Sequence, residues 1–235
     1  FNFLMSVYLS SQKIIKDWVG STHAQSGVNC RDCHETKQME WTINPEKRVC
    51  SKCHEKEMEG FLESRHGMRL SQKNLTPMKP GMARTSMKLD ALEKEITCNT
   101  CHGAHQFNTR LAENESCLEC HNDQHSIAFK DSVHFKLWSL NEKPNKGVSC
   151  ANCHFPRKEI RVSGFNRVLV EHNQNNNLRP NQKMIRSVCM NCHGFSFSLN
   201  ALSDRGSIAN NFAGEPKKIS DIPKMVKREL HKKER

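Results

Sequence analysis

The sequence is poor in the material of an ordinary globular core. Aromatic residues make up 6% of its 235 residues, with Tyr8 the single tyrosine, and all apolar side chains together reach 36%. Even with glycine added, this stays below the roughly 45–50% of common soluble domains. A core built of side chains alone would be thin, and such compositions drift toward disorder unless something else fills the interior. No uninterrupted apolar run approaches the roughly 18 residues of a spanning helix, so membrane association requires a partner or an anchor upstream of residue 1. The start, FNFLMSVYLSSQ, has neither an initiator Met nor a basic leader and reads as a processed or trimmed terminus. Interleaved aromatic and basic residues of the kind that stack nucleic-acid bases are missing too, so no nucleic-acid partner is expected. Finally, no cysteine stands alone.

All twelve cysteines fall into six copies of one pentapeptide: Cys30-Cys33-His34, Cys50-Cys53-His54, Cys98-Cys101-His102, Cys117-Cys120-His121, Cys150-Cys153-His154 and Cys189-Cys192-His193. C-x-x-C-H is the attachment signature of c-type haem: two thiols become thioethers on the vinyl groups, and the histidine is set beneath the iron as its proximal ligand. A disulfide framework gives no reason for a histidine after every second cysteine, and zinc knuckles would pair the motifs into four-ligand sites. The pattern therefore implies six haem c groups. The porphyrins would then form most of the interior, with folding coupled to their attachment. The expected fold class is mainly α with much irregular chain, a multihaem c-type cytochrome wrapped around a stacked haem array.

The formal charge of +11 reads as compensation for haem propionates rather than as a nucleic-acid footprint. Haem is attached to secreted chains beyond the cytoplasmic membrane, so the protein is expected to be exported, periplasmic or extracellular.

A second pattern is interleaved with the first. Aromatic-x-x-Ser-x-His occurs at Trp18 to His23, Phe61 to His66 and Phe129 to His134, each time ahead of a pair of attachment motifs. Gly27-Val28-Asn29-Cys30 and Gly147-Val148-Ser149-Cys150 also match, with Glu95-Ile96-Thr97-Cys98 a weaker counterpart. These repeats divide a single hexahaem domain, 18–204, into two-haem units of about 18–60, 61–128 and 129–200, between an N-terminal arm, 1–17, and a basic tail, 205–235. The spacing fits a short helix that packs its aromatic on one side and offers its imidazole from an adjacent one. Further short helices are expected at 88–94 and 221–233. Residues 67–97 otherwise read as a long surface loop, and the Asn-rich 171–183 as a solvated turn.

Seven histidines remain: His23, His66, His105, His125, His134, His172 and His231. With terminal His231 taken as exposed, six spare imidazoles match six irons and predict bis-histidine haems, with low-potential one-electron chemistry. The ten methionines leave Met/His ligation of one haem as an alternative. Ligands on opposite faces of one iron have Cα atoms about 12 Å apart, taking the zinc–nitrogen distance as a stand-in. His105 is three residues from His102, a span of at most about 10–11 Å, so it is expected to serve a different haem. His125, four residues from His121, is expected to do the same.

Cys117-Leu-Glu-Cys-His-Asn-Asp-Gln-His125, Phe129-Lys-Asp-Ser-Val-His134 and Gly147-Val-Ser-Cys-Ala-Asn-Cys-His154 resemble the multihaem cytochromes related to hydroxylamine oxidoreductase and the octahaem nitrite and tetrathionate reductases. The resemblance covers most of 18–200 and implies the haem wiring of that superfamily. The tyrosine cross-linked to the catalytic haem of hydroxylamine oxidoreductase has no counterpart after the first motif, and C-x-x-C-K is absent. The expected role is therefore electron transfer without catalytic residues, as carrier, conduit or filament subunit, partnered by redox proteins or like subunits in a homo-oligomer. The alternative is a multihaem reductase of small nitrogen or sulfur compounds with one open haem.

Overall fold

A computed structural model describes residues 2–46, 48–140, 147–162 and 164–218. The chain is mainly helical, in short pieces joined by irregular segments. The helices are α1 (Asn2–Val19), α2 (Thr22–Gln25), α3 (Cys30–His34), α4 (Glu55–Glu63), α5 (Cys98–His102), α6 (Thr109–Glu113), α7 (Glu115–Leu118), α8 (Gln124–Ala128), α9 (Val133–Ser139), α10 (Cys150–His154), α11 (Asn175–Leu178), α12 (Met184–Ser187), α13 (Phe195–Ser203) and α14 (Arg205–Ala209). Turns of 3-10 helix at Val49–Lys52 and Cys189–Asn191 carry two of the cysteine motifs. Among the described residues no helix is long and apolar enough to cross a membrane.

The interior has few apolar side chains, as the composition requires. Among the described residues an apolar cluster joins Met184, Ile185 and Leu202, flanked by Leu178, Val188, Leu199, Phe212 and the cysteines Cys153 and Cys189. The most deeply buried side chains are polar instead: Asn114, Ser64, Ser132, Ser149 and Ser198. Most buried polar groups are hydrogen-bonded, and all five of these side chains bond backbone, Asn114 through its Oδ1 alone.

A hairpin is added and two expectations are corrected. Strands β1 (Arg157–Val162) and β2 (Phe165–Val170) form an antiparallel hairpin in register from Arg157 with Val170 to Val162 with Phe165. Its signal in the sequence is β-branched residues at alternate positions before a glycine, Gly164, and again after it. The expected helix at 88–94 shrinks to a 3-10 turn, Leu89–Ala91, since a stretch this short cannot repay helix nucleation without a packed face. The Asn-rich segment is no solvated turn: Asn173, Gln174 and Asn177 are buried. Asn173 donates to Glu63 Oε2 at 3.1 Å and Asn177 to the Cys153 carbonyl at 2.5 Å, so the amides serve as tertiary clamps. The expected helix at 221–233 and His231 lie outside the described residues.

Arg110 adds a further clamp between the second and third pairs of motifs. Its guanidinium lies 3.6 Å over the Trp138 ring, while Trp138 Nε1 donates to Glu113 Oε2 at 3.0 Å and Arg157 pairs with Glu113 at 3.1 Å.

Candidate functional site

Sites 1 to 6 are numbered in chain order by their motif histidines, His34, His54, His102, His121, His154 and His193. The odd-numbered sites share one local structure. In each, the pentapeptide is a single α-helical turn, α3, α5 or α10, that puts both thiols and the imidazole on one face. Each turn starts at a residue able to cap it. Asn29 Oδ1 accepts from Arg31 N at 2.9 Å, and Asp32 Oδ2 accepts from Asn29 N at 2.7 Å. Ser149 and Asn152 exchange the same two bonds at 3.1 and 2.8 Å, and Thr97 N donates to Thr100 Oγ1 at 3.0 Å. The sequence reading noted the Gly-Val-x-Cys repeat without seeing that x is the cap; the polar residue two places after the first cysteine was the available signal.

The even-numbered sites differ in having no side-chain cap at their start. The histidine N–H still donates to the first cysteine's carbonyl at 2.9 Å in all three, as in an α-helical turn.

The aromatic-x-x-Ser-x-His segments are built alike, though not as one helix. Ser21, Ser64 and Ser132 are extended, at φ −87, −77 and −72°, so the chain breaks there. The serine N–H donates to the aromatic residue's carbonyl at 2.9 to 3.0 Å. Its hydroxyl oxygen then accepts from the next turn: Ala24 N for Ser21, His66 N and Gly67 N for Ser64, Phe135 N for Ser132. The serine thus caps the turn that carries the histidine.

Every motif histidine has one spare imidazole facing it. Ring centroids are 5.9 Å apart for His34 and His105, 5.9 Å for His54 and His23, and 6.4 Å for His102 and His172. They are 6.2 Å apart for His121 and His66, and 6.1 Å for His154 and His125 and for His193 and His134. A metal bonded to both rings at about 2 Å per nitrogen would set the centroids about 6 Å apart. The donor set and the spacing therefore fit an iron porphyrin held between two imidazoles and two thioethers. His105 does not face His102, nor His125 His121; the even sites face the three histidines of the repeated serine segments.

Three of the rings, one each at sites 1, 3 and 5, are oriented by a backbone oxygen. His34 Nδ1 donates to the Thr42 carbonyl at 2.7 Å, His172 Nδ1 to Val170 at 2.9 Å, and His125 Nδ1 to Ile208 at 2.5 Å. Such bonds place the proton on Nδ1 and leave Nε2 as the donor nitrogen. Burial, with the facing imidazole adding to it, pushes His66, His102 and His154 down to about 4 and lowers His23, His105 and His134. The rings are held neutral, the form that binds metal.

The thiols form no disulfide. Burial pushes Cys101 and Cys153 up to about 12, away from the thiolate that zinc needs, and among the described residues no cluster of three or more His, Cys, Asp or Glu side chains could hold a metal ion. Consecutive motifs are neighbours throughout. Cys33 lies near Cys50, Cys101 near Cys117, and Cys153 near Cys189. Cys50 likewise lies beside Cys98, and Cys117 beside Cys150. At these last two junctions the imidazoles also converge, His102 on His54 and His154 on His121.

A mainly helical chain, thin in side-chain core, that gathers C-x-x-C-H motifs and opposed imidazoles defines a multihaem c-type cytochrome. The family model described as cytochrome c3 matches residues 22–84 and 91–163, more than half of the chain, and the protein belongs to the cytochrome c3 family. It accordingly binds haem c covalently and serves electron transfer. No curated protein and no solved structure matches the chain.

Proposed function

We propose that the protein carries electrons through six covalent haems, all bis-histidine and low in potential, as an exported carrier, conduit or filament subunit. The observation that carries this is the one-to-one opposition of six motif imidazoles with six spare ones at 5.9 to 6.4 Å. When bound, each haem supplies a one-electron Fe(III)/Fe(II) couple. The chain's own part would be to fasten it through two thioethers and to offer an imidazole from each side, one ring being held by an Nδ1 hydrogen bond at sites 1, 3 and 5 and the facing ring by a serine-capped turn at sites 2, 4 and 6. Two histidines without methionine favour low potential.

The thiol contacts support a stacked array in chain order, 1 to 6, with junctions of alternating kind. The three repeated segments support two-haem units at about 18–60, 61–128 and 129–200, tied together because His105, from the second, faces the first. Of the finer likeness to the hydroxylamine oxidoreductase superfamily, the proposal uses only the haem wiring. Redox proteins or like subunits are the proposed partners, with the basic tail as an arm for docking.

Intact mass and carbon monoxide binding test the reading. The mature protein should weigh six haems more than its polypeptide, and its reduced spectrum should not change under carbon monoxide. Fewer haems would refute the count. A native haem that is high-spin and binds carbon monoxide would promote the reductase instead.

A further inference from the structure

The groups that meet Nδ1 of the motif histidines differ in charge. At site 1 the His34 Nδ1 donates to a neutral carbonyl, that of Thr42, at 2.7 Å. At site 4 the His121 Nδ1 faces a carboxylate, Asp123 Oδ2, at 3.6 Å. That carboxylate is partly engaged elsewhere. Asp123 caps α8, its Oδ1 accepting from Ser126 N at 3.2 Å, and its Oδ2 accepts from the Ser126 hydroxyl at 2.7 Å. Oδ2 therefore accepts from the hydroxyl while lying 3.6 Å from the ring nitrogen, within ion-pair range.

A carboxylate is ionised at neutral pH. At ion-pair distance from the Nδ1–H of a ligating imidazole its charge favours that proton staying on Nδ1 and makes the ring a stronger donor. It also adds a negative charge near the metal in a partly buried place, where screening by water is reduced. Both effects favour the more positive, oxidised state of a metal held by the ring, and neither moves a proton or breaks a bond.

We propose that Asp123 is a positioning residue that sets the reduction potential of site 4 below the value its two histidines would give alone, and that Ser126 moderates it by occupying Oδ2. This rests on the bis-histidine reading of site 4, where His66 faces His121 at 6.2 Å. It makes α8 a joint element: its cap tunes site 4 while its His125 faces site 5.

Substitutions at Asp123 and at Ser126 give opposite signs. Asp123→Asn keeps an equally good cap but removes the charge; Asp123→Ser does the same with a different cap. Ser126→Ala removes the competing hydroxyl and leaves Oδ2 to the ring. In a spectroelectrochemical titration of the holoprotein, one of the six haem steps should move to higher potential in Asp123→Asn and Asp123→Ser, and the same step to lower potential in Ser126→Ala. The other five should stay in place. A merely structural cap cannot produce opposite shifts. If no step moves, or all six move together, the proposal is overturned. The failure of the underlying reading looks different: it would appear in the unaltered protein as a haem that is high-spin or binds carbon monoxide.

Discussion

The odd and even sites use the same pentapeptide and hold it in two different ways. At sites 1, 3 and 5 the motif is a capped helical turn whose local geometry is set by its own neighbours, Asn29, Thr97 and Ser149. At sites 2, 4 and 6 no cap holds the motif, and the regular element lies on the opposite side, in the serine-capped turns of His23, His66 and His134. Each pair of imidazoles thus has one partner fixed by a repeated local device and one fixed by the fold. The consequence shows in the ring planes. In the even pairs they cross at 66, 72 and 68°, a nearly constant angle. In the odd pairs they cross at 8, 37 and 67°, because His105, His172 and His125 come from a loop, the end of β2 and α8.

The comparison breaks hardest if a facing imidazole is removed. His66→Ala should open one even site and His105→Ala one odd site, each giving one high-spin haem in six that binds carbon monoxide when reduced. If either variant leaves the spectrum low-spin and closed, its pairing is wrong.

Next comes the backbone of an even site. A Cβ on Gly67 would lie 2.1 Å from the Phe61 carbonyl oxygen, so the turn that carries His66 must shift. Gly67→Ala should cost about 1–3 kcal/mol, read as a lowered midpoint in thermal or denaturant unfolding of the holoprotein. An unchanged midpoint would mean that this turn is not tightly held.

Cap removal should be gentler. Ser64→Ala and Ser132→Ala at the even sites, and Ser149→Ala at an odd one, should each cost about 1 kcal/mol. The spectroscopic signature separates them: the first two should loosen the facing imidazole of sites 4 and 6, while the third loosens the attachment turn of site 5. Equal effects of all three on a single haem would erase the distinction between the two classes.

The smallest effect carries no change in stability. Axial rings that cross steeply give strongly axial low-spin signals in electron paramagnetic resonance, and nearly parallel rings give rhombic ones. The oxidised protein should show a rhombic species from site 1 beside a larger population of axial character from the even sites and site 5. A uniform spectrum would show that the haems override the ring planes described here.

Much of the site could be read because its chemistry is written in contiguous residues. C-x-x-C-H needs no tertiary knowledge, and the thrice-repeated serine segment marked His23, His66 and His134 as a set. The reading of that segment as one helix failed at the serine, whose side chain competes for backbone donors and so stops a helix and starts the next turn. The buried amides of Asn173 and Asn177 were misjudged for a related reason. Asparagine usually lies at the surface, and only a distant carboxylate, Glu63, and the Cys153 carbonyl make its burial affordable.

The sequence by itself determined the kind of cofactor, the attachment residues and the pool of spare imidazoles, because each follows from local spacing or from counting. Reach alone also separated His105 from His102. Which imidazole faces which was decided by the tertiary structure. His172 reaches site 3 across 70 residues of chain because β1 and β2 turn it back toward α5, and His125 reaches site 5 because α8, packed on α14 with its Nδ1 on the Ile208 carbonyl, is turned toward α10. Such contacts between residues far apart in sequence leave no periodic trace, since what selects them is the packing of whole elements rather than the preference of any short segment.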